Sequence, residues 1–394
     1  MIIRKKNVRK PVCLISAVLC ATLFFSGCTE VDESLPEPKV ITDVTDTAPV
    51  SSDGEEKGYI LSQLSEQEWE YYVIMRDAVR NFEDEAVFPE PLPAELLRKL
   101  FVTVYYQEED IFWLDSLFYS RPTDFFSQKL TYRFSKEEAA AMQQELDKRV
   151  NEIFSRFTPS STDYEKLLTF HDELVLGCTF REGEKYSNTV YGALVAGQAQ
   201  CEGYALAYEY LCRKAGIECF TVTGTSPGGN AHAWNMVKLD GQWYHVDCTW
   251  DDPILTPEDK EFIRYYYFLV NDSDIVGVTH IPDSTYYSYP VSAARDNYYK
   301  REGFYAESGE QGVNLLAVCA AEALEDGRKD AAVRFSDRKS YDAAYSKLFD
   351  NKEILDVFAY VNSVSPRKVL DSRYVRYANN EELIIHISMI YDYE

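Results

Sequence analysis

Apolar positions along this chain change their period from region to region, and the period predicts the elements. Helical spacing runs through "SEQEWEYYVIMRDAVRNF", where Ser65 and Glu68 stand at capping-box spacing. The box recurs at Ser135 and Glu138, predicting a helix through about Phe157, and at Thr162 and Glu165 ahead of "DYEKLLTFHDELVLG". "LPAELLRKLFVTVYY" predicts a further helix, whereas "DIFWLDSLFYS" and "SQKLTYRFS" predict strands. "CEGYALAYEYLCRKAG" has a largely apolar helical face that stops at Gly216, and the β-branched run "ECFTVTGT" follows as a strand. Beyond Pro282, "GVNLLAVCAAEALEDG" predicts a helix and "AAVRFS" a strand. "SYDAAYSKLFDNKEILDVFAYVN" predicts one helix or two, and "SRYVRYANNEELIIHISMIY" a hairpin turned at Asn379-Asn380. No internal repeat is present.

The most informative alternation runs from Asn230 to Pro253, "NAHAWNMVKLDGQWYHVDCTWDDP". Asp-Gly between two alternating runs is a hairpin signal, because glycine accepts the positive φ of a tight turn. With Asp240 and Gly241 as the turn, Leu239 faces Gln242 and His232 faces Thr249. Side chains two apart share a face. His232, Trp234 and Met236 therefore share the face carrying Trp243, His245, Asp247 and Thr249, with His232 and Asp247 in diagonal reach. A three-residue turn with a bulge would move this register by one.

Composition bears on compartment and partners. "MIIRKKNVRK" has five basic residues and no acid, and the short apolar run "PVCLISAVLCATLFF" leads to Ser26-Gly27-Cys28. This is the layout of a signal peptide, too short for an ordinary membrane span. The final triplet resembles a bacterial lipobox, with Phe25 where leucine is usual. That resemblance implies cleavage before Cys28 and lipidation of its thiol; a plain secreted protein is the alternative. Thr29 to about Gly58 is acidic and rich in Pro, Ser and Thr, the composition of a flexible tether. The formal charge is −25, and loss of the leader's five positive charges would take it to −30. Such acidity argues against nucleic acid and fits a solvated extracytoplasmic surface. The 30 tyrosines are mostly accounted for by sheet packing. Past Cys28 come Cys178, Cys201, Cys212, Cys219, Cys248 and Cys319, with no zinc or disulfide spacing. Buried small apolar residues are the default for them, and a Cys212–Cys219 disulfide is a geometric option.

One cysteine differs by position. Cys201 opens its predicted helix after the loop "AGQAQ", where unpaired amides and the helix dipole favour thiolate over thiol. A nucleophile, an imidazole at 232 and a carboxylate at 247 make a chemically sensible set. His232 would accept the thiol proton, and Asp247 would orient the ring and stabilise the imidazolium. "SPGGN" lets backbone approach closely just before His232. The bland reading of Cys201 is an inert core thiol. His245 is the rival base on the same face, while His171, His280 and His386 are expected to be structural. Trp234 and Trp250 are expected to pack around the site and are the candidates for lining a substrate groove. Asp251 and Asp252 are expected to shape the strand exit.

"YGALVAGQAQCEGYA", "NAHAWNMV" and "WYHVDCTWDDP", in this order, resemble the transglutaminase-like superfamily, whose core is papain-like. The resemblance spans roughly residues 160 to 290 and includes "YEKLLTFHDELV" and "YYYFLVNDSDI". It implies an α+β fold with the nucleophile helix packed on an antiparallel sheet. It also implies Cys201 as nucleophile, His232 as base, Asp247 as orienter, a thioester intermediate, and neither metal nor organic cofactor. The Cys201 backbone amide would be one oxyanion donor, with Gln198 a candidate for the second. The expected organisation is a signal peptide over 1–27, a lipidated tether over 28–58, a mainly helical N-terminal region over 59–159, the transglutaminase-like core over 160–290, and a small α/β domain over 291–394.

Three functions compete. The first is an enzyme acting on peptide or protein amide bonds, as peptidase or amidase with water as acceptor, or as cross-linker with an amine. Cell-wall peptide is its candidate substrate by location alone. The second is a non-catalytic surface module binding peptide or glycan on the same scaffold, against which the intact Cys-His-Asp set argues. The third is an adaptor that recognises a partner through its C-terminal domain.

Overall fold

The computed structural model describes residues 57–115, 126–252, 263–365, 369–379 and 381–391. The expected leader, Cys28 and the tether as far as residue 56 lie outside the described residues.

Among the described residues, the N-terminal region holds three α-helices, a short 3-10 helix at Leu61–Gln63 and one short strand pair. Helices α1 (Glu66–Arg80) and α3 (Lys136–Phe154) each start with a closed capping box, Ser65 with Glu68 and Ser135 with Glu138. Between them lie β1 (Glu85–Val87), α2 (Ala94–Gln107) and β2 (Ser127–Lys129), with β1 and β2 antiparallel. The strand predicted over residues 110–120 is not formed as far as Asp115, where only an isolated bridge joins Leu114 to Tyr132. Its remainder lies outside the described residues. The strand predicted over 127–135 shortens to β2, because Ser135 is already capping α3.

Helix α4 (Asp163–Gly177), boxed by Thr162 and Glu165, leads into the central unit. Two-residue strands β3 (Thr179–Phe180) and β4 (Gln198–Ala199) pair in parallel just before α5 (Cys201–Lys214). The main sheet contains β5 (Cys219–Thr225), β6 (Ala231–Leu239), β7 (Gln242–Val246), β8 (Phe268–Val270) and β9 (Ile281–Pro282). Its order is β8-β7-β6-β5-β9, antiparallel throughout. Alternation decides which side chains meet which layer. Val237, Leu239, Tyr244, Val246 and Phe268 share a core with Tyr204, Tyr208 and Leu211 of α5 and with Leu167, Phe170 and Leu174 of α4. Phe220, Val222, Trp234 and Met236 form a second cluster, closed by Ile60 with Tyr59, Tyr287 and Tyr289 packed against it. Residues 59 and 60 together with Tyr287 and Tyr289 thus cover this face of the sheet.

The β6–β7 hairpin has the predicted register, with Leu239 opposite Gln242 and Asn235 opposite Val246. Both turn residues have positive φ, 52° at Asp240 and 77° at Gly241. The expected facing of His232 and Thr249 does not occur. Strand β7 stops at Val246, and Asp247 caps a single helical turn, α6 (Cys248–Asp251), which removes Thr249 from the sheet.

Helices α7 (Asp272–Ile275) and α8 (Tyr298–Arg301) lead to a second sheet. It is built from β10 (Tyr305–Ala306), β11 (Asp330–Phe335), β12 (Val369–Asn379) and β13 (Ile384–Tyr391), in the order β10-β11-β13-β12. Helix α9 (Gly309–Glu325), α10 (Arg338–Tyr345) and α11 (Ile354–Val364) complete it. The stretch of one helix or two is two, joined through a π-turn at Ser346–Asp350. The β12–β13 hairpin forms with Asn379 opposite Ile384, so Asn379 belongs to the strand rather than to the predicted turn, and Asn380 lies outside the described residues. The core of this unit also takes in Tyr266, Tyr267, Val270 and Ile275. No described helix is long and apolar enough to cross a membrane.

Candidate functional site

Cys201 is the first residue of α5, and Gln200 ahead of it provides no side-chain cap. The amides of the first turn therefore keep their donor capacity beside the thiol. Two close approaches place this helix start. The Gln200 amide donates to the Ser187 carbonyl at 2.9 Å. Gly203 passes so near the same carbonyl that a Cβ there would lie 2.4 Å from it. Cys201 is partly exposed, whereas the other described cysteines are buried free thiols. Cys212 and Cys219 touch through their thiols without a disulfide.

His232 is the second residue of β6, after a loop in which Gly228 and Gly229 have φ of 99° and 80°. Its Nε2–H donates to Asp247 Oδ2 at 2.6 Å, which leaves Nδ1 open to the adjacent Cys201 side chain. Asp247 is held at both oxygens. Oδ1 accepts the amides of Thr249 at 2.9 Å and Trp250 at 3.1 Å, and Oδ2 accepts a second imidazole, His280 Nε2–H, at 2.9 Å. His232, Asp247 and His280 are all buried.

The electrostatics follow from this geometry. Burial disfavours charge on His232, but the carboxylate of Asp247 and the adjacent Cys201 outweigh it and raise the ring to about 10. Burial likewise opposes charge on Asp247, yet the attraction of His232 and the hydrogen bonds from both imidazoles hold it well below the ordinary carboxylate range. His280 shifts down, because its burial and the nearby His232 and His245 outweigh its bond to Asp247. The ligand atoms of His232, Asp247 and His280 lie within 4.8 Å of one another. At 2.6 and 2.9 Å, with both ring nitrogens directed at one oxygen, they form a hydrogen-bonded set with a proton in each gap.

His245 is committed elsewhere, with Nδ1 accepting from Trp234 Nε1–H at 3.0 Å and Nε2–H donating to Asp272 at 2.9 Å. Trp234 is 1% exposed, stacked beside His232, and so does not line a groove. The hairpin pattern identifies its face but not the Ile60 cluster that covers that face. Trp250 is half-buried, with its ring centroid 5.4 Å from His232 and 4.7 Å from His280. Gln198 lies in β4 with an exposed side chain, three residues ahead of Cys201. His171 sits on α4 between Asp172 and Asp251, and His386 sits on β13 against the Tyr266 hydroxyl. The residue that sequence reasoning missed is His280. It follows the hairpin by more than thirty positions, in a loop without periodicity, and no signal in the sequence assigns it to Asp247.

Residues 152–248 match the family model of the transglutaminase-like superfamily, a range that holds Cys201, His232 and Asp247 but not His280. The mouse (Mus musculus) kyphoscoliosis peptidase is 29% identical over 172 residues, covering 38% of this chain and 26% of its own length. The human (Homo sapiens) kyphoscoliosis peptidase is 33% identical over 127 residues, covering 27% of this chain and 19% of its own length. The chain thus spans about a quarter or less of the length of these relatives. A solved Cytophaga hutchinsonii protein, described as a candidate cysteine protease, aligns with 26% of this chain and 37% of its own at 22% identity and a TM-score of 0.24. Over residues 152–248, this chain is similar to the transglutaminase-like superfamily.

Proposed function

We propose that this chain is a thiol-dependent acyl-transfer enzyme acting on amide bonds of peptides or proteins. The observation that carries the reading is the 2.6 Å hydrogen bond from His232 to Asp247, with the partly exposed Cys201 thiol beside the same ring. Cys201 Sγ attacks the amide carbonyl carbon, and the Cys201 amide at the helix start donates to the developing oxyanion. His232 gives its proton to the departing amine as the C–N bond breaks, leaving a thioester. Water or a second amine then attacks, His232 takes that nucleophile's proton, and the C–S bond breaks to release the thiolate. Asp247 holds the ring in the required tautomer and stabilises the imidazolium. Trp250, half-buried beside His232, shields the relay from solvent. The peptidase designation of the two mammalian relatives supports water as acceptor.

The reading includes a location. The basic, apolar and Ser26-Gly27-Cys28 layout supports an extracytoplasmic protein anchored through a lipid on Cys28, with cell-surface peptide within reach. Mass spectrometry of the mature amino terminus tests that part. The chemistry is tested by incubating the protein with a peptide library, with and without a primary amine, and following products by mass. Turnover that vanishes in Cys201→Ala and in His232→Ala is expected. Turnover surviving in Cys201→Ala would refute the proposal.

A further inference from the structure

His280 belongs neither to the motif that identifies the family nor to the relay as proposed, yet it occupies half of the catalytic carboxylate's free oxygen. We infer that His280 is a positioning residue for this site: by donating Nε2–H to Asp247 Oδ2, it divides that oxygen between two imidazoles and limits the hold of Asp247 on the proton of His232. The inference rests on the relay proposed above.

The structure builds this contact from several sides. An ionised carboxylate offers about four acceptor positions, and Asp247 fills them with two backbone amides on Oδ1 and two imidazoles on Oδ2. With both oxygens occupied, Asp247 has no alternative partner and no room to rotate. The Thr279 hydroxyl backs the ring, 2.9 Å from His280 Nδ1 and 3.4 Å from Ile275 O, and its one proton can turn to either acceptor. The backbone is fixed as well. The His280 amide donates to Ile275 O at 2.9 Å, and Gly277, at φ 75°, donates to His280 O at 2.8 Å. The next strand, β9, approaches Gly224 so closely that a Cβ there would lie 2.2 Å from Ile281 O.

The ring's surroundings make it a neutral donor. His280 is fully buried among Trp234 and Trp250, each 4.7 Å away, and Tyr267 at 5.6 Å. The ionisable groups that face it are Asp247, His232 with its ring 5.3 Å away, His245 and Tyr267. Burial and the two other imidazoles push His280 down. The positive charge of the cluster therefore resides on His232. A neutral N–H on Oδ2 draws density from the bond to His232, so the imidazolium is held less tightly and passes its proton more readily to a leaving amine. A merely structural His280 would fill the aromatic cage without touching that balance.

The test follows the alkylation rate of Cys201 by iodoacetamide against pH, with peptide-resolved mass spectrometry, in wild type, His280→Phe, His280→Gln and Thr279→Val. A thiolate–imidazolium pair reacts at low pH and shows a second rise where the imidazolium deprotonates. The expected result is that this upper inflection moves up by about half a unit or more in His280→Phe, where Asp247 serves His232 alone. Gln presents an amide N–H near the position of Nε2 and should restore the wild-type inflection. Thr279→Val should move it part of the way while keeping the imidazole, and it decides the matter if His280→Phe does not fold. An upper inflection that stays in place or moves down in the folded variants overturns the inference and leaves the relay intact. Absence of the low-pH reaction in wild type overturns the relay itself, and the inference with it.

Discussion

Asp247→Asn is the sharpest perturbation of this site, because it changes charge without changing shape. The asparagine oxygen can still accept the Thr249 and Trp250 amides, so α6 keeps its cap, and Asn is as good a capping residue as Asp. The new NH2 group then points donors at His232 Nε2–H and His280 Nε2–H, where donors already point in. His232 can escape only by moving its proton to Nδ1, the nitrogen that the thiol needs as an acceptor. The magnitude follows from the ring's position at about 10 against an ordinary 6.5. With the carboxylate gone, only Cys201 opposes burial and the ring falls back towards the ordinary value, a loss on the order of 5 kcal/mol for the imidazolium. The corresponding Asp→Asn change in a Ser-His-Asp hydrolase costs about 10⁴ in kcat by the same loss of tautomer. A fall of about 10³ to 10⁴ in turnover is therefore expected here, with cooperative unfolding near that of wild type. Alkylation of Cys201 at about pH 6, where ordinary thiols are slow, provides a readout that needs no substrate. A folded Asp247→Asn protein that keeps the wild-type rate at that pH would refute the reasoning, because the carboxylate would not be holding the proton on His232.

Other expectations are more local. Gly203→Ala sets a Cβ 2.4 Å from the Ser187 carbonyl and 2.9 Å from Ala199, so α5 must shift; a stability loss of about 1–3 kcal/mol by urea titration and slower Cys201 alkylation should appear together. Thr162→Ala removes the acceptor for the Glu165 amide and should cost about 1 kcal/mol while leaving Cys201 alkylation unchanged. Stability should also fall in alkali through His171. Burial opposes its charge, but Asp172 and Asp251 raise it to about 9 from 6.5. Its folded value exceeds its unfolded one, so the stabilisation is complete below about 6.5 and is lost as pH rises through about 9. Urea midpoints should drop across that interval in wild type and much less in His171→Gln.

The hairpin was legible because its geometry is local. Asp240-Gly241 as a two-residue turn fixes one register, the one observed, and that register brings His232 and Asp247 to one face. The three capping boxes were legible for the same reason, each being a four-residue pattern with its own hydrogen bonds. What failed was non-local or concerned where a pattern ends. Strand spacing reads through Asp247 to Thr249, but an aspartate that caps a helical turn ends the strand there. Trp234 looks from its alternation like a groove residue, and only the return of Ile60, Tyr287 and Tyr289 from distant parts of the chain covers it. His280 was out of reach for a related reason. Its role depends on the loop after β8 folding back under the hairpin, and no spacing encodes that return.

Two buried aspartates stand at the two ends of α6, and the geometry divides their work. Asp247 faces imidazoles. Asp251 faces the fold: its Oδ1 accepts the amides of Tyr266 at 2.8 Å and Tyr267 at 3.1 Å, and its Oδ2 accepts His171 Nε2–H at 3.1 Å. It therefore ties α4, α6 and the entry to β8 into one unit, beyond the strand-exit role expected from sequence. Burial pushes Asp251 up to about 6 despite His171, so the two groups are both charged between about 6 and 9. Asp251→Asn keeps one acceptor oxygen for the tyrosine amides and loses the charged bond to His171, a change worth about 1–3 kcal/mol. The expected pattern is the reverse of Asp247→Asn: a lower urea midpoint, with the low-pH alkylation of Cys201 retained. The two variants measured side by side separate folding from chemistry within a single helical turn. If Asp251→Asn abolished the low-pH reaction at unchanged stability, the division would be wrong and Asp251 would belong with the relay.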